Sequence, residues 1–284
     1  MPRYAKKRTT RRRRTYRKRR APRRKVTRRT TAKRIKAIAS NHKSDDLQGG
    51  QRSNADDGLS GHTLLHDDIP MDARITMTYF SPSAFAYRDT DEPRGRFKTK
   101  IYHTGYADKY LIHIGCDVPL LHRRIVYTNM YEDQRAWCGK IDSKNPANFD
   151  LYRNQTRLDL SALTEQLFAG TSGLDWQDHM RAPLNRNNQR IISDKLYTYS
   201  PKSVHGQEFV KNLYTPIKKT LRFNDTESGN DTLRTNKIFP ALTSPKYFIV
   251  DLYRAATDTS DVDKFPLGTQ YFSLGLAGKN YWRE

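Results

Sequence analysis

From Arg74 onward the chain is written in short β-branched and aromatic runs separated by turn residues, the pattern of an all-β domain. Ile75 to Phe80 is the first run, closed by Ser81-Pro82-Ser83. After a polar excursion from Tyr87 to Arg96, expected on a surface, Phe97 to His103 and Tyr106 to Ile114 read as two strands turning at Gly105, with Tyr110, Ile112 and Ile114 on one face. Arg123 to Met130 supplies another strand, and Leu151 to Leu160 a further one, weakened by Arg153, Asn154, Gln155 and Arg157. One helix follows: Ser161 can cap it, Leu163 and Leu167 recur at i and i+4, and Gly170 is placed to end it. Asp175-Trp176-Gln177-Asp178 and Pro183 to Asn188 then form a long connection, which we read as a loop anchored by a buried indole.

Strands resume at Arg190 to Tyr199 and Glu208 to Phe223, where Pro216 cannot donate to a ladder and so marks a bulge or an edge. The last two runs alternate most cleanly. Phe248, Val250 and Leu252 share one face of Tyr247 to Arg254, and Phe272, Leu274 and Leu276 share one face of Tyr271 to Ala277. About eight strands and one short helix, without alternating βαβ units, predict a sandwich or jelly roll over residues 71–284. Ahead of it, residues 45–70 are rich in Gly, Ser, Asn and Asp and read as a mobile, loop-like linker.

Charge changes the picture at the other end. Residues 1–44 carry 21 of the 52 Lys and Arg residues and no Asp or Glu, leaving 31 basic against 30 acidic residues behind them. Nearly the whole formal charge of +22 therefore belongs to one leading segment. Such a segment repels itself and offers little apolar surface to offset the entropy of ordering, so it is expected to be a disordered arm. The partner that suits it is nucleic acid, because each phosphate met by a cation releases a condensed counterion.

The residues expected to do this are Arg3, Lys6, Lys7, Arg8, Arg11, Arg12, Arg13, Arg14, Arg17, Lys18, Arg19, Arg20, Arg23, Arg24, Lys25, Arg28, Arg29, Lys33, Arg34 and Lys36. Arginine dominates among them, and its planar guanidinium can fork onto phosphate oxygens. Tyr4 and Tyr16 offer optional stacking. With no recognition helix or Cys/His finger, the binding is expected to ignore sequence. A nuclear-import signal needs only a few of these residues and can coexist with packaging. A membrane role would want an amphipathic face or a lipid-anchor motif, and no run approaches a membrane span.

Candidate chemistry adds little. The chain has no phosphate-cradling P-loop, no H-E-x-x-H and no G-x-S-x-G elbow, so no catalytic residue and no cofactor is expected. His113, Cys116, His122 and Cys138 have zinc-ligand types, but alternation turns His113 away from Ile112 and Ile114, and Cys116 lies past Gly115 in a turn. No metal site is expected from them. Two cysteines are too few for a disulfide framework, which suits a reducing compartment.

Several stretches taken in order resemble the capsid proteins of genomoviruses, small viruses with circular single-stranded DNA related to the geminiviruses. They are the basic arm, Ala162-Leu163 through Leu167-Phe168-Ala169-Gly170 into Asp175-Trp176-Gln177-Asp178, Lys219-Thr220-Leu221-Arg222-Phe223-Asn224-Asp225, Tyr247-Phe248-Ile249-Val250-Asp251-Leu252, and the final Tyr281-Trp282-Arg283-Glu284. The resemblance runs through nearly the whole chain and departs mainly at Asp45 to Met71 and Ser81 to Arg96. It implies one eight-stranded jelly roll that self-assembles into a small T=1 icosahedral shell of roughly sixty copies. It also implies an inward arm that packages single-stranded DNA and carries a nuclear localisation signal, placing the protein in the virion and, during assembly, in the host nucleus. The rival from another class is a cellular nucleic-acid-binding protein of ribosomal or chromatin type with a basic tail.

Overall fold

The computed structural model describes residues 40–51, 60–61, 75–88, 91, 93–131, 133–136, 138–141, 149–155, 157–158, 161–187, 189–224, 238–256 and 271–284. In chain order the strands are β1 His42–Gln51, β2 Ser60–Gly61, β3 Thr76–Phe80, β4 Lys100–Ile114, β5 Leu120–Asn129, β6 Cys138–Ile141, β7 Phe149–Asn154, β8 Arg157–Leu158, β9 Arg190–Tyr199, β10 Gln207–Arg222, β11 Lys246–Ala255 and β12 Phe272–Arg283. Helix α1 spans Ser161–Leu167, and Gly170 beyond it takes φ 80°, the left-handed geometry that stops a helix.

Two sheets form a sandwich. One runs β10-β4-β12-β1-β7-β6, with β2 hanging on β1; the other runs β8-β3-β11-β5-β9. Among the described residues, eight of these strands, all but β2, β6, β7 and β8, are nested in pairs. They pair first with last (β1 with β12), second with seventh (β3 with β11), third with sixth (β4 with β10) and fourth with fifth (β5 with β9). A long hairpin wrapped on itself gives this order, which is the jelly-roll winding.

The expected strand number holds, but two of the strands behind it change. Phe97 to His103 and Tyr106 to Ile114 are not a pair turning at Gly105; Lys100–Ile114 is one fifteen-residue strand. Gly105 is there for close approach rather than for reversal, since a Cβ at that position would collide with the Tyr214 phenol lying over it. The register of β10 slips beside it, between Pro216 and Lys219, so the expected bulge is present, and β10 is also an edge strand.

The second correction is β1. Residues 45–51 were expected in a loop-like linker and His42 to Ser44 in the arm, yet His42–Gln51 pairs with β12 from His42↔Arg283 to Gln48↔Ala277. The polar spelling misled because Leu47 alone on this strand buries a large apolar side chain, while Asp46 faces out to Lys279 at 2.9 Å. Gly49 and Gly50 let β7 draw alongside in parallel pairing, with the Gln155 amide and Leu276 carbonyl filling the space of a Gly49 Cβ. The remainder of the 45–70 reading, apart from Ser60 and Gly61, lies outside the described residues.

The space between the sheets holds two apolar clusters. One gathers Phe80, Phe85, Tyr106, Val126, Ile249 and Trp282; the other gathers Tyr110, Ile112, Leu120, Tyr253, Leu274 and Leu276. A third cluster lies outside the five-stranded sheet, where Met77, Ile125, Phe248, Val250 and Leu252 pack under Leu163, Leu167, Phe168 and Trp176. Strand β11 is therefore buried on both faces, and its alternation sorts side chains between two interiors. The Tyr87 to Arg96 excursion is less superficial than expected. Arg96 is buried, with its guanidinium carbon 3.8 Å from the centre of the Phe223 ring and one nitrogen donating to the Lys98 carbonyl at 2.8 Å.

His103 is fully buried, edge-on to Phe85 with ring centres 5.0 Å apart. Burial lowers its pKa to about 3, against about 6.5 for an unfolded histidine. The folded state thus binds fewer protons than the unfolded one between those values. Its contribution to stability is complete above pH about 6.5 and is lost as pH falls toward 3, at up to about 1.4 kcal/mol per pH unit. Unfolding free energies measured by denaturant titration across this window should show that slope, and His103→Leu should flatten it.

Candidate functional site

Between the two apolar clusters of the interior sits a group of charges that joins the sheets. From the seven-stranded sheet, β4 turns Tyr106, Asp108 and Tyr110 inward and β7 contributes Arg153; from the other, β5 contributes His122 and Arg124 and β11 contributes Asp251. All are buried. Arg153 reaches Asp108 through Nε at 2.9 Å and Asp251 through Nη2 at 2.9 Å, and its third nitrogen donates to the Asn154 carbonyl at 2.7 Å. Arg124 meets Asp108 at 2.6 Å, lies 3.8 Å from Asp251 and donates to the Tyr110 hydroxyl. Tyr106 donates to Asp108 at 2.5 Å and Tyr110 to Asp251 at 2.8 Å, while His122 Nε2 lies 2.9 Å from Asp251.

Two carboxylates thus face two guanidinium groups, each in contact with both. Burial by itself would raise the Asp251 pKa, but Arg124, the His122 hydrogen bond and Arg153 outweigh it and hold the carboxyl well below the usual range. Burial would likewise lower the Arg153 pKa, and Asp108 with Tyr106 and Tyr110 outweighs it. The folded pKa of Asp251 being depressed, the stability it contributes is complete above the unfolded value of about 3.9 and fades only below it. Every member of this group is shut away from solvent. The arrangement joins the two sheets and fixes how they sit; it offers no access to a substrate.

The connection after α1 is built as expected. The Trp176 indole donates to the Ala169 carbonyl at 3.0 Å, Asp175 accepts from the Thr171 amide at 2.6 Å, and Asp178 accepts from the Met180 amide and from Arg254, both at 2.8 Å. Of the residues weighed as metal ligands, His113 is exposed and His122 is buried against Asp251 and Tyr199. The structure does not bring these two together. The twenty arm cations from Arg3 to Lys36 lie outside the described residues.

Sequence reasoning missed the charge group, apart from His122, which it read only as a ligand. A signal was present: Asp108 shares the parity of Tyr106, Tyr110 and Ile112, and Asp251 that of Ile249 and Tyr253. A carboxylate at an inward position of an apolar strand announces a buried partner.

The surface carries apolar side chains where the sheets end. Strand β9 is one edge of the five-stranded sheet and β10 one edge of the seven-stranded sheet, and Ile192, Leu196 and Val210 on them are exposed, as is Val204 in the turn between. Long edges with apolar side chains invite pairing with another chain.

No protein-family model matches the chain, and no curated protein does. Among solved structures, the chain is similar to Trichodysplasia spinulosa-associated polyomavirus VP1, at 9% identity over 86% of this chain and 96% of that one, with a TM-score of 0.14. The same VP1 in complex with GM1 oligosaccharide aligns at 10% identity over 86% and 78%, with a TM-score of 0.10. Scores this low carry no argument about kinship or function.

Removing one member of the buried charge group should be costly, because the others stay buried and uncompensated. Arg153→Met, which keeps much of the side chain's bulk, is expected to destabilise the protein by about 3–5 kcal/mol. Thermal and denaturant unfolding would measure it.

Proposed function

We propose that this chain is a structural rather than catalytic protein: the coat protein of a small virus with a circular single-stranded DNA genome, of the genomovirus kind. Its jelly-roll body tiles into a closed icosahedral shell of roughly sixty copies, and its leading basic segment gathers the genome inside. The observation that carries this reading is the division of charge. The 41 residues ahead of β1 carry 20 cations and no acid, and they are joined to a body that is almost neutral, at 32 basic to 30 acidic residues. Sixty such leaders would bring on the order of a thousand positive charges, enough for a small genome if each meets one phosphate. The same segment would serve for entry into the host nucleus, where the shell assembles.

The body supports the reading in two ways. Its winding sets first strand beside last, buried charges join its two sheets, and the edge strands β9 and β10 present apolar side chains for contacts between copies. Weak single-arm binding and strong binding by the shell would follow from linkage of many sites.

Electron microscopy of the purified protein should show closed shells about 20 nm across, from volume scaling. Protein lacking residues 1–39 should keep the β signature in circular dichroism and form particles without nucleic acid. Discrete monomers bound one-to-one to RNA would overturn the proposal in favour of a cellular nucleic-acid-binding protein.

A further inference from the structure

Among the described residues, one outer face of the sandwich is covered and the other is open. Outside the five-stranded sheet lie α1 and the loop that follows it. On the other side, β4 alternates buried with exposed or half-exposed positions over most of its length and β12 does so throughout, while β10, at the edge, alternates half-buried with exposed positions over its first half. The register places their outward side chains together with those of β1, the strand to which the basic segment is joined in sequence.

This open face has a composition that the body as a whole lacks. Lys100, Lys109, Arg222, Lys279 and Arg283 point outward from it, against two carboxylates, Asp46 and Glu208. In a body with 32 basic and 30 acidic residues, that is a concentration of positive charge. Three tyrosines stand among the cations. The Arg283 guanidinium carbon lies 6.0 Å from the Tyr102 ring centre, Lys279 Nζ lies 6.0 Å from that of Tyr281, and the rings of Tyr281 and Tyr214 are 6.5 Å apart.

Tyr214 occupies a particular place. It is 55% exposed, and it lines two hollows. One, of about 360 Å³, opens toward Thr104, Ser44 and Tyr281; the other, of about 330 Å³, opens toward Ala107, Lys109 and Lys279. Thr104 and Lys109 lie in opposite directions along β4 from Ala107, the residue paired with Tyr214, so the ring separates the two hollows. Small residues, Ala107, Ala277 and Gly278, line the second, and Gly105 leaves room for the Tyr214 hydroxyl to pack down. Each hollow is at the lower end of the size range of small-molecule sites, enough for one nucleotide unit.

Aromatic rings set among cations on an open sheet suit unpaired bases, because a half-exposed ring can stack on a splayed base but cannot enter a paired duplex. We propose that the outer face of β1, β4, β10 and β12 is a second binding surface for single-stranded DNA, with Tyr214 stacked on an unpaired base seated in a neighbouring hollow and Lys109 and Arg283 meeting the phosphates. The proposal rests on the packaging reading and extends it from the basic leader to the folded body. It orients the subunit, since this face then lines the interior of the shell.

Full-length protein irradiated with bromodeoxyuridine-substituted oligodeoxythymidylate, followed by mass spectrometry of the crosslinked peptides, tests it. Crosslinks are expected in the peptide containing Tyr214 as well as in the leader. At a salt concentration that suppresses the leader's phosphate contacts, Tyr214→Ala should lower affinity about tenfold, whereas Tyr214→Phe should keep it. Both variants should unfold at the wild-type temperature, the side chain being largely exposed. Crosslinks confined to the leader, or unchanged affinity in Tyr214→Ala, would overturn the proposal and leave the packaging reading standing. Wild-type protein that neither crosslinks nor binds would overturn both. If Tyr214→Ala stops shell formation while crosslinks map elsewhere, the face is a contact between copies and the proposal falls.

Discussion

The sandwich is held in register by four charges that water does not reach. Asp108 belongs to one sheet and Asp251 to the other, and Arg153 touches both carboxylates at 2.9 Å. Were β11 to slip by one residue, Asp251 would turn to the covered outer face among Phe248, Val250 and Leu252. Arg124 and Arg153 would then lose one of their two counterions in a place where an unpaired charge costs several kcal/mol. Apolar contacts alone discriminate weakly between such slips, because most positions of β11 are apolar on either face. The charges supply the discrimination, and the tyrosine hydroxyls complete the hydrogen bonding that makes their burial tolerable.

What could be read along the chain and what could not divide on a physical line. Alternation gave Tyr247 to Arg254 and Tyr271 to Ala277 with their faces correctly sorted: in β12 burial on one side leaves a period of two in the spelling, and in β11, buried on both faces, successive side chains still point to opposite sides. The helix end at Gly170 and the bulge at Pro216 were legible because those residues have backbone constraints of their own. Strand β1 was not legible: it sits between β12 and β7 and draws its stability from ladder hydrogen bonds, which any polar sequence can make. Gly105 misled for the opposite reason, since the residue that permits a turn also permits a neighbouring tyrosine to lie against the backbone. Of the buried charge group, partners could not be read, because pairing across two sheets joins residues as distant in sequence as Asp108 and Asp251.

Charge is used in two unlike ways in one chain. Inside the body Arg124 and Arg153 each face two fixed carboxylates. The 41 residues ahead of β1 carry 20 cations and no carboxylate in their sequence. The open sheet face lies between these extremes, with Lys279 held by Asp46 at 2.9 Å and its neighbours Lys109 and Arg283 outward beside tyrosine rings.

The pairing of first strand with last has a practical meaning for anyone altering this chain. Asn41 and Glu284 exchange backbone hydrogen bonds at 3.1 Å in each direction, so both ends of the folded body leave from one spot. A peptide attached at Glu284 would therefore lie beside Asn41 and the start of β1. Display of foreign peptides on the far side of the molecule calls instead for insertion within a connecting loop.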